Sequence, residues 1–331
     1  MKDASFLEKT GKARLSRFRI CLEKASLHPG EKEIHDLRVS IRRLLSFSDV
    51  AASITGKEPF PARDRKRMKD LMRPLGKLRD AQVKILWLRK IAPAGDEGIY
   101  LYALSVRGDA ERSANRVRDL LRDGGRTRIR PRKPTLAIPP ASEQDLQERA
   151  LAVLRKLEKS VESAREEARD EAHVEALHRM RLAFKKYRYS TEVLAPALPG
   201  VTAETMKRLH SFQTLLGDIH DLDVLLEEAG HFRRRVLEVK TESVLESRIR
   251  EIRRREFIRL APLLASAVDL SKRVFGTEFS TSLSRNKLGN STWERGGHRR
   301  DRGSRTDPWK RDRRGDESVF RKARGSRREN R

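Results

Sequence analysis

Residues 178–192 read HRMRLAFKKYRYSTE, and residues 35–49 read HDLRVSIRRLLSFSD. The two stretches align without a gap at an offset of 143. His35 then matches His178, Arg38 matches Arg181, Arg42 matches Lys185, Arg43 matches Lys186, and Asp49 matches Glu192. A second pair follows in the same order: LGKLRDAQV at 75–83 against LGDIHDLDV at 216–224. There Gly76 matches Gly217, Arg79 matches His220, and Asp80 matches Asp221. Two ordered motifs, each present twice, mark an internal duplication.

On a helical wheel at about 100° per residue, with His35 at zero, Arg38 falls near 300° and Arg42 near 340°. Leu37, Ile41, Leu44 and Leu45 fill the arc from about 180° to 280°. The second copy divides in the same way. His178, Arg181 and Lys185 share one stripe, while Leu177, Met180, Phe184 and Tyr187 share the other. Each helix therefore has an apolar stripe for its own bundle and a cationic stripe beside it. One such stripe reads as a solvated face. Two of them, in halves related by pseudo-two-fold symmetry, converge on a common axis and form one anion groove. Asp49 and Glu192 lie on the cationic stripe and are expected to orient its cations.

The surrounding chain is helical throughout. Segments rich in Leu, Ala, Arg, Lys and Glu carry the helical period, and alternating β-branched runs are missing. Helices are expected near 3–27, 31–54, 62–92 and 97–123, with Pro74 kinking or splitting the third. A Pro/Gly/Arg linker over 124–142 follows, then helices near 143–169, 171–195, 202–229 and 241–273. The expected fold class is all-α. It comprises a four-helix half over 1–123, the linker, a four-helix half over 143–275, and a basic tail over 276–331. The tail is Gly/Ser/Arg-rich and poor in aliphatics, so it cannot offset its ordering entropy and is expected to be disordered. Trp293, Trp309 and Phe320 make it a candidate RNA-contacting arm, beside the plainer reading of a solubilising extension.

Composition narrows the partners. The 331 residues carry 75 Lys+Arg against 48 Asp+Glu, a formal net charge of +27. Polyanions are the expected ligands. The single cysteine, Cys21, excludes an intramolecular disulfide framework and reads as a small buried residue in a reducing, cytoplasmic setting. The opening residues lack a signal-peptide core, and no run approaches the roughly 18 apolar residues of a spanning helix. No membrane role, cofactor motif or metal cluster is expected. His210, with His220-Asp221 and Asp223, faintly suggests a metal-dependent HD-type phosphohydrolase. The first copy of that motif, however, carries Arg79 where a ligand would be needed.

The motifs H-x-x-R-V-x-x-R-R-L and H-x-x-R-x-x-x-K-K-x-R-Y-x-x-E, each followed by L-G-x-x-x-D, resemble the CHAD domain, the conserved histidine α-helical domain. The resemblance covers about residues 1–275 and both halves, and leaves the tail outside. It implies a duplicated helical fold with a basic central surface that binds inorganic polyphosphate without catalysis. A location at polyphosphate granules is compatible with it. No E-x-E-x-K signature of the triphosphate-tunnel domain that often accompanies this family is found. Carried over by position, the implied ligands are His35, Arg38, Arg42, Arg43, His178, Arg181, Lys185, Lys186 and Arg188. The helices bearing the second motif add Lys66, Lys69, Arg73, Lys77, Arg79, Lys207, Arg208 and His220. Lys69, Arg73 and Lys77 form one row at i, i+4 and i+8. Arg38, Arg42, Arg181 and Lys185 are expected to touch the ligand first, and the histidines to donate to phosphate. Gly76 and Gly217 are expected to permit close helix approach, and Asp80 and Asp221 to hold basic side chains. A nucleic-acid ligand, held by the same charge and the tail, is the alternative.

Overall fold

A computed structural model describes residues 5–92, 96–122, 131–136, 143–198 and 200–265. The expected disordered tail, 276–331, lies outside them, as does most of the linker. The described residues contain eight α-helices: α1 (Ser5–Leu27), α2 (Glu31–Thr55), α3 (Ala62–Ile91), α4 (Glu97–Arg122), α5 (Glu143–Glu167), α6 (Val174–Leu194), α7 (Ala203–Arg235) and α8 (Val244–Ala265). A single 3-10 turn, Ala195–Ala197, follows α6. No strand occurs among the described residues.

The helices stop and start for local reasons. Gly56, at φ 73°, ends α2 in the left-handed region, where glycine pays no Cβ penalty. Thr202 caps α7 by accepting from the Thr205 amide. Ser243 and Glu246 form a capping box at the start of α8. The Ser243 hydroxyl accepts from the Glu246 amide at 3.2 Å, and the Glu246 carboxylate accepts from the Ser243 amide at 3.0 Å.

Two expectations change. Pro74 does not split α3, which is continuous through it. Leu71, Leu75 and Leu78 are buried on both sides of the proline, so packing holds the turn whose hydrogen bond is lost. The seventh helix also runs past 229 to Arg235, with Gly230 inside it. A Cβ at Gly230 would lie 2.9 Å from Glu246 Oε1, so here glycine admits a neighbouring side chain rather than ending a helix.

Packing repeats between the two sets. In the first, α1 packs on α2, α2 on α3 and α3 on α4; in the second, α5 packs on α6, α6 on α7 and α7 on α8. The sets meet through α2 against α5 and α6, and through α3 against α7. The halves do not keep separate cores. One cluster joins Phe18, Leu37, Ile41 and Phe47 to Met180, Phe184 and Leu216. A second, at the far ends of the long hairpins, joins Leu88, Ile91 and Tyr102 to Leu222, Leu225 and Ile249. The described part of the linker is strapped to the first half. The Thr135 amide donates to Pro59 O at 2.9 Å, the Arg132 amide donates to Asp64 at 3.0 Å, and Arg19 donates to Pro131 O at 3.2 Å.

Candidate anion site between the two halves

The apolar stripes read from the sequence are the buried faces of α2 and α6. Leu37, Ile41, Leu44, Met180 and Phe184 are fully buried, and Tyr187 nearly so. Phe184 packs on Phe212 with centroids 4.5 Å apart and the rings tilted by 56°, so these rings serve the core and leave no base-stacking platform. With those faces inward and α2 packed against α6, the cationic stripes are turned toward each other.

Arg38, Arg42, Arg181 and Lys185 come together as one cluster. Burial, together with Arg42, Arg181 and Arg38, lowers the Lys185 ammonium to about 7. Burial and Arg42 lower the Arg38 guanidinium to about 10, with Arg79 and Arg181 adding to the effect. Arg181 is lowered mainly by burial, and Arg42 contributes. Arg38, Arg181 and Lys185 are each disfavoured as cations by desolvation and by cations of the other half. Asp80 opposes the repulsion on Arg38, Arg181 and Lys185, and Asp221 does so on Arg181. Neither aspartate is seen in an ion pair or hydrogen bond with these cations, so their influence here is electrostatic. Asp221 itself is raised to about 6, first by burial and then by Asp218 and Asp80, with Arg181 working against them.

Arg38 is aimed by glycine. A Cβ at Gly76 would sit 3.1 Å from Arg38 Nη1, and that nitrogen donates weakly to Met72 O at 3.5 Å. Arg38 Nε is shut off from solvent and finds no acceptor in the protein. Gly217 differs from the expectation: a Cβ there would meet nothing within 4 Å, so it mediates no close approach.

The two half-sites are unequal. In the second, His178 and His220 face each other with Nδ1 atoms 3.2 Å apart, so at least one Nδ1 must carry a proton for them to bond. Burial, Arg181 and His178 push His220 down to about 3. In the first, Arg79 takes the matching position and pairs with Glu31 at 2.7 Å. Exposed His35 is lowered by burial of part of its ring and by Arg79 and Arg42.

Other expected ligands lie elsewhere. Arg43 and Arg188 converge on Glu192, Arg43 Nε at 2.9 Å and Arg188 Nη1 at 3.7 Å. Arg188 is buried, donates to Gln213 at 2.6 Å and lies over the Tyr189 ring, so it is a packing residue. Arg14 of α1, which the sequence did not single out, joins the same carboxylate at 3.5 Å and is lowered to about 10 by burial. Its position falls on Leu157 at the repeat offset, so duplication gave no signal for it. Asp49 pairs with Arg65 rather than with the stripe. Lys186 is exposed and lines a separate depression of 870 Å³ between α2, α5 and α6, with Asp49, Arg65 and Arg149. Lys69, Arg73, Lys77 and Lys207 are exposed. Lys66 pairs with Asp70 at 3.6 Å and Arg208 with Glu204 at 3.2 Å.

Asp223, one of the residues that suggested a metallohydrolase, accepts from Arg253, which also donates to Glu171 at 3.0 Å. Among the described residues no group of three His, Cys, Asp or Glu is placed to hold a metal ion. None of the described helices is long and apolar enough to cross a membrane.

Comparison with known proteins agrees with this architecture. The crystal structure of the CHAD domain from the plant Ricinus communis superposes with a TM-score of 0.52 at 19% identity, covering 82% of this chain and 91% of that one. At that identity the likeness concerns the fold. No functionally curated protein matches the chain. The family model of the CHAD domain matches residues 13–230, which take in both histidine motifs and both L-G motifs. This chain belongs to the CHAD domain family.

Proposed function

We propose that this protein binds inorganic polyphosphate, without altering it, on the basic surface where α2 and α6 meet. The observation that carries the reading is the cluster itself. Lys185 is half-buried among Arg38, Arg42 and Arg181, cations drawn from both halves. Gathering like charges away from water is uphill unless an anion joins them. A ligand with one negative charge per unit and no base or sugar suits such a cluster. Guanidinium forks pair with phosphate oxygens, and no aromatic surface is needed. The buried state of Phe184 and Tyr187 counts against a base-stacking ligand. Location at polyphosphate granules would follow from such binding.

The test is binding of long-chain polyphosphate to the full chain across a salt series. The parent should bind with affinity that falls steeply as salt rises. Replacing Arg38, Arg42, Arg181 and Lys185 together by Ala should weaken binding at least about 100-fold, with helical circular dichroism retained. A quadruple variant that binds like the parent would remove the groove from consideration. RNA displacing polyphosphate at physiological salt would favour the nucleic-acid reading instead.

A further inference from the structure

The two L-G helices match in sequence at an offset of 141 but not in charge. On α3, Lys69, Arg73 and Lys77 make an exposed row. The corresponding positions on α7 are His210, Thr214 and Asp218. Thr214 turns its hydroxyl back on His210 O at 3.0 Å, and Asp218 lies near Glu256, which raises its carboxyl beyond the effect of burial. One helix thus offers three cations where its counterpart offers none of fixed positive charge.

The α3 row is also joined to the cluster. Taking Gly76 as zero on the wheel, Lys69 lies about 20° away, Arg73 about 60° and Lys77 about 100°. Gly76 is the position whose missing Cβ makes room for Arg38 Nη1. Lys69 and Arg73 therefore continue the face that Arg38 touches. From Lys69 to Lys77 the row rises about 12 Å along the helix, beyond what the central cations cover.

On the reading that the cluster binds polyphosphate, we infer that the track is one-sided: a long chain leaves the central cluster along α3 and not along α7. Short polyphosphates contact only the cluster. Longer chains gain the Lys69–Arg73–Lys77 row, and the protein discriminates by chain length through that row. The unequal charge of the two L-G helices sets the direction in which the polyanion runs.

The experiment measures tripolyphosphate and long-chain polyphosphate with the full chain, its K69A/R73A/K77A variant and its H210A/T214A/D218N variant. The α3 variant should lose at least ten-fold in long-chain affinity. Its dependence of log affinity on log salt should become shallower by up to about three. Its tripolyphosphate affinity should stay within two-fold of the parent. The α7 variant should keep or improve long-chain binding. Conversely, T214R with D218K should strengthen long-chain binding and steepen its salt dependence. Equal losses from the α3 and α7 variants, or no loss from the α3 variant, would overturn the one-sided track while leaving the central site standing. A parent that binds neither ligand would overturn the central site and the track with it.

Discussion

Glu192 of α6 holds Arg43 of α2 at 2.9 Å, across the junction between the two halves. The same carboxylate takes Arg14 of α1 at 3.5 Å and Arg188 of its own helix at 3.7 Å. Arg43 Nε makes no hydrogen bond at that distance, so the acid gathers three guanidiniums as ion pairs that tie the helices together and is not itself a ligand site.

Replacing Glu192 by Gln should therefore act on stability. The carboxylate keeps 23% of its side-chain exposure, so the cost belongs below the usual range for breaking a buried pair, at about 2 kcal/mol. A urea midpoint shifted down with polyphosphate affinity within two-fold of the parent is the expected result. An affinity loss as large as that of the groove variant would place Arg43 and Arg188 on the ligand after all.

Lys185 supplies a pH dependence whose sign follows from its surroundings. In the empty protein its ammonium is lowered to about 7 by burial and by Arg42, Arg181 and Arg38. A bound polyanion favours the charged form, so binding takes up a proton wherever the empty site is deprotonated. Affinity should rise as pH falls through 7 and go on rising, more gently, through about 6. Asp221, at about 6, reinforces the trend, because its protonation leaves the groove more positive. His220, at about 3 in the empty site, also gains charge only with an anion present. Lys185→Arg should flatten the dependence above pH 7 while keeping tight binding, measured calorimetrically in two buffers of different ionisation enthalpy. No proton uptake by the parent at pH 8 would contradict the assignment.

The paired glycines should respond differently to alanine. Both substitutions gain about 1 kcal/mol of helix propensity. At Gly76 the new methyl meets Arg38 Nη1 at 3.1 Å and pushes the guanidinium off its place, whereas at Gly217 nothing stands within 4 Å. Gly76→Ala should weaken polyphosphate binding several-fold, and Gly217→Ala should raise thermal stability with binding unchanged. Identical behaviour of the two variants would show that Arg38 is not positioned through Gly76.

Much of this was legible before any coordinates. Leu37, Ile41 and Leu44, with Met180, Phe184 and Tyr187, recur at the helical period and are core. The convergence of Arg38 and Arg42 with Arg181 and Lys185 followed from their repetition. What stayed hidden depended on partners from other helices. A helical wheel gives a residue's direction about its own axis, but not what crosses to meet it. Arg43 and Arg188 therefore looked like ligands until Glu192 and Arg14 were in place. The seventh helix was expected to stop at 229 because Glu246, the side chain that Gly230 admits, is distant in sequence. Gly76 and Gly217 looked alike because repeated sequence does not guarantee repeated surroundings.

The shared cores have a consequence for the chain as an assembly. Phe47 and Met180 lie in one cluster, and Leu88 and Leu225 in another, so neither half can bury its apolar face alone. The molecule is in effect an obligate heterodimer written on one polypeptide, with the strap at Thr135 and Pro59 holding the connection to the first half. Co-expressed as separate polypeptides, the halves would recruit each other, and either half alone would aggregate.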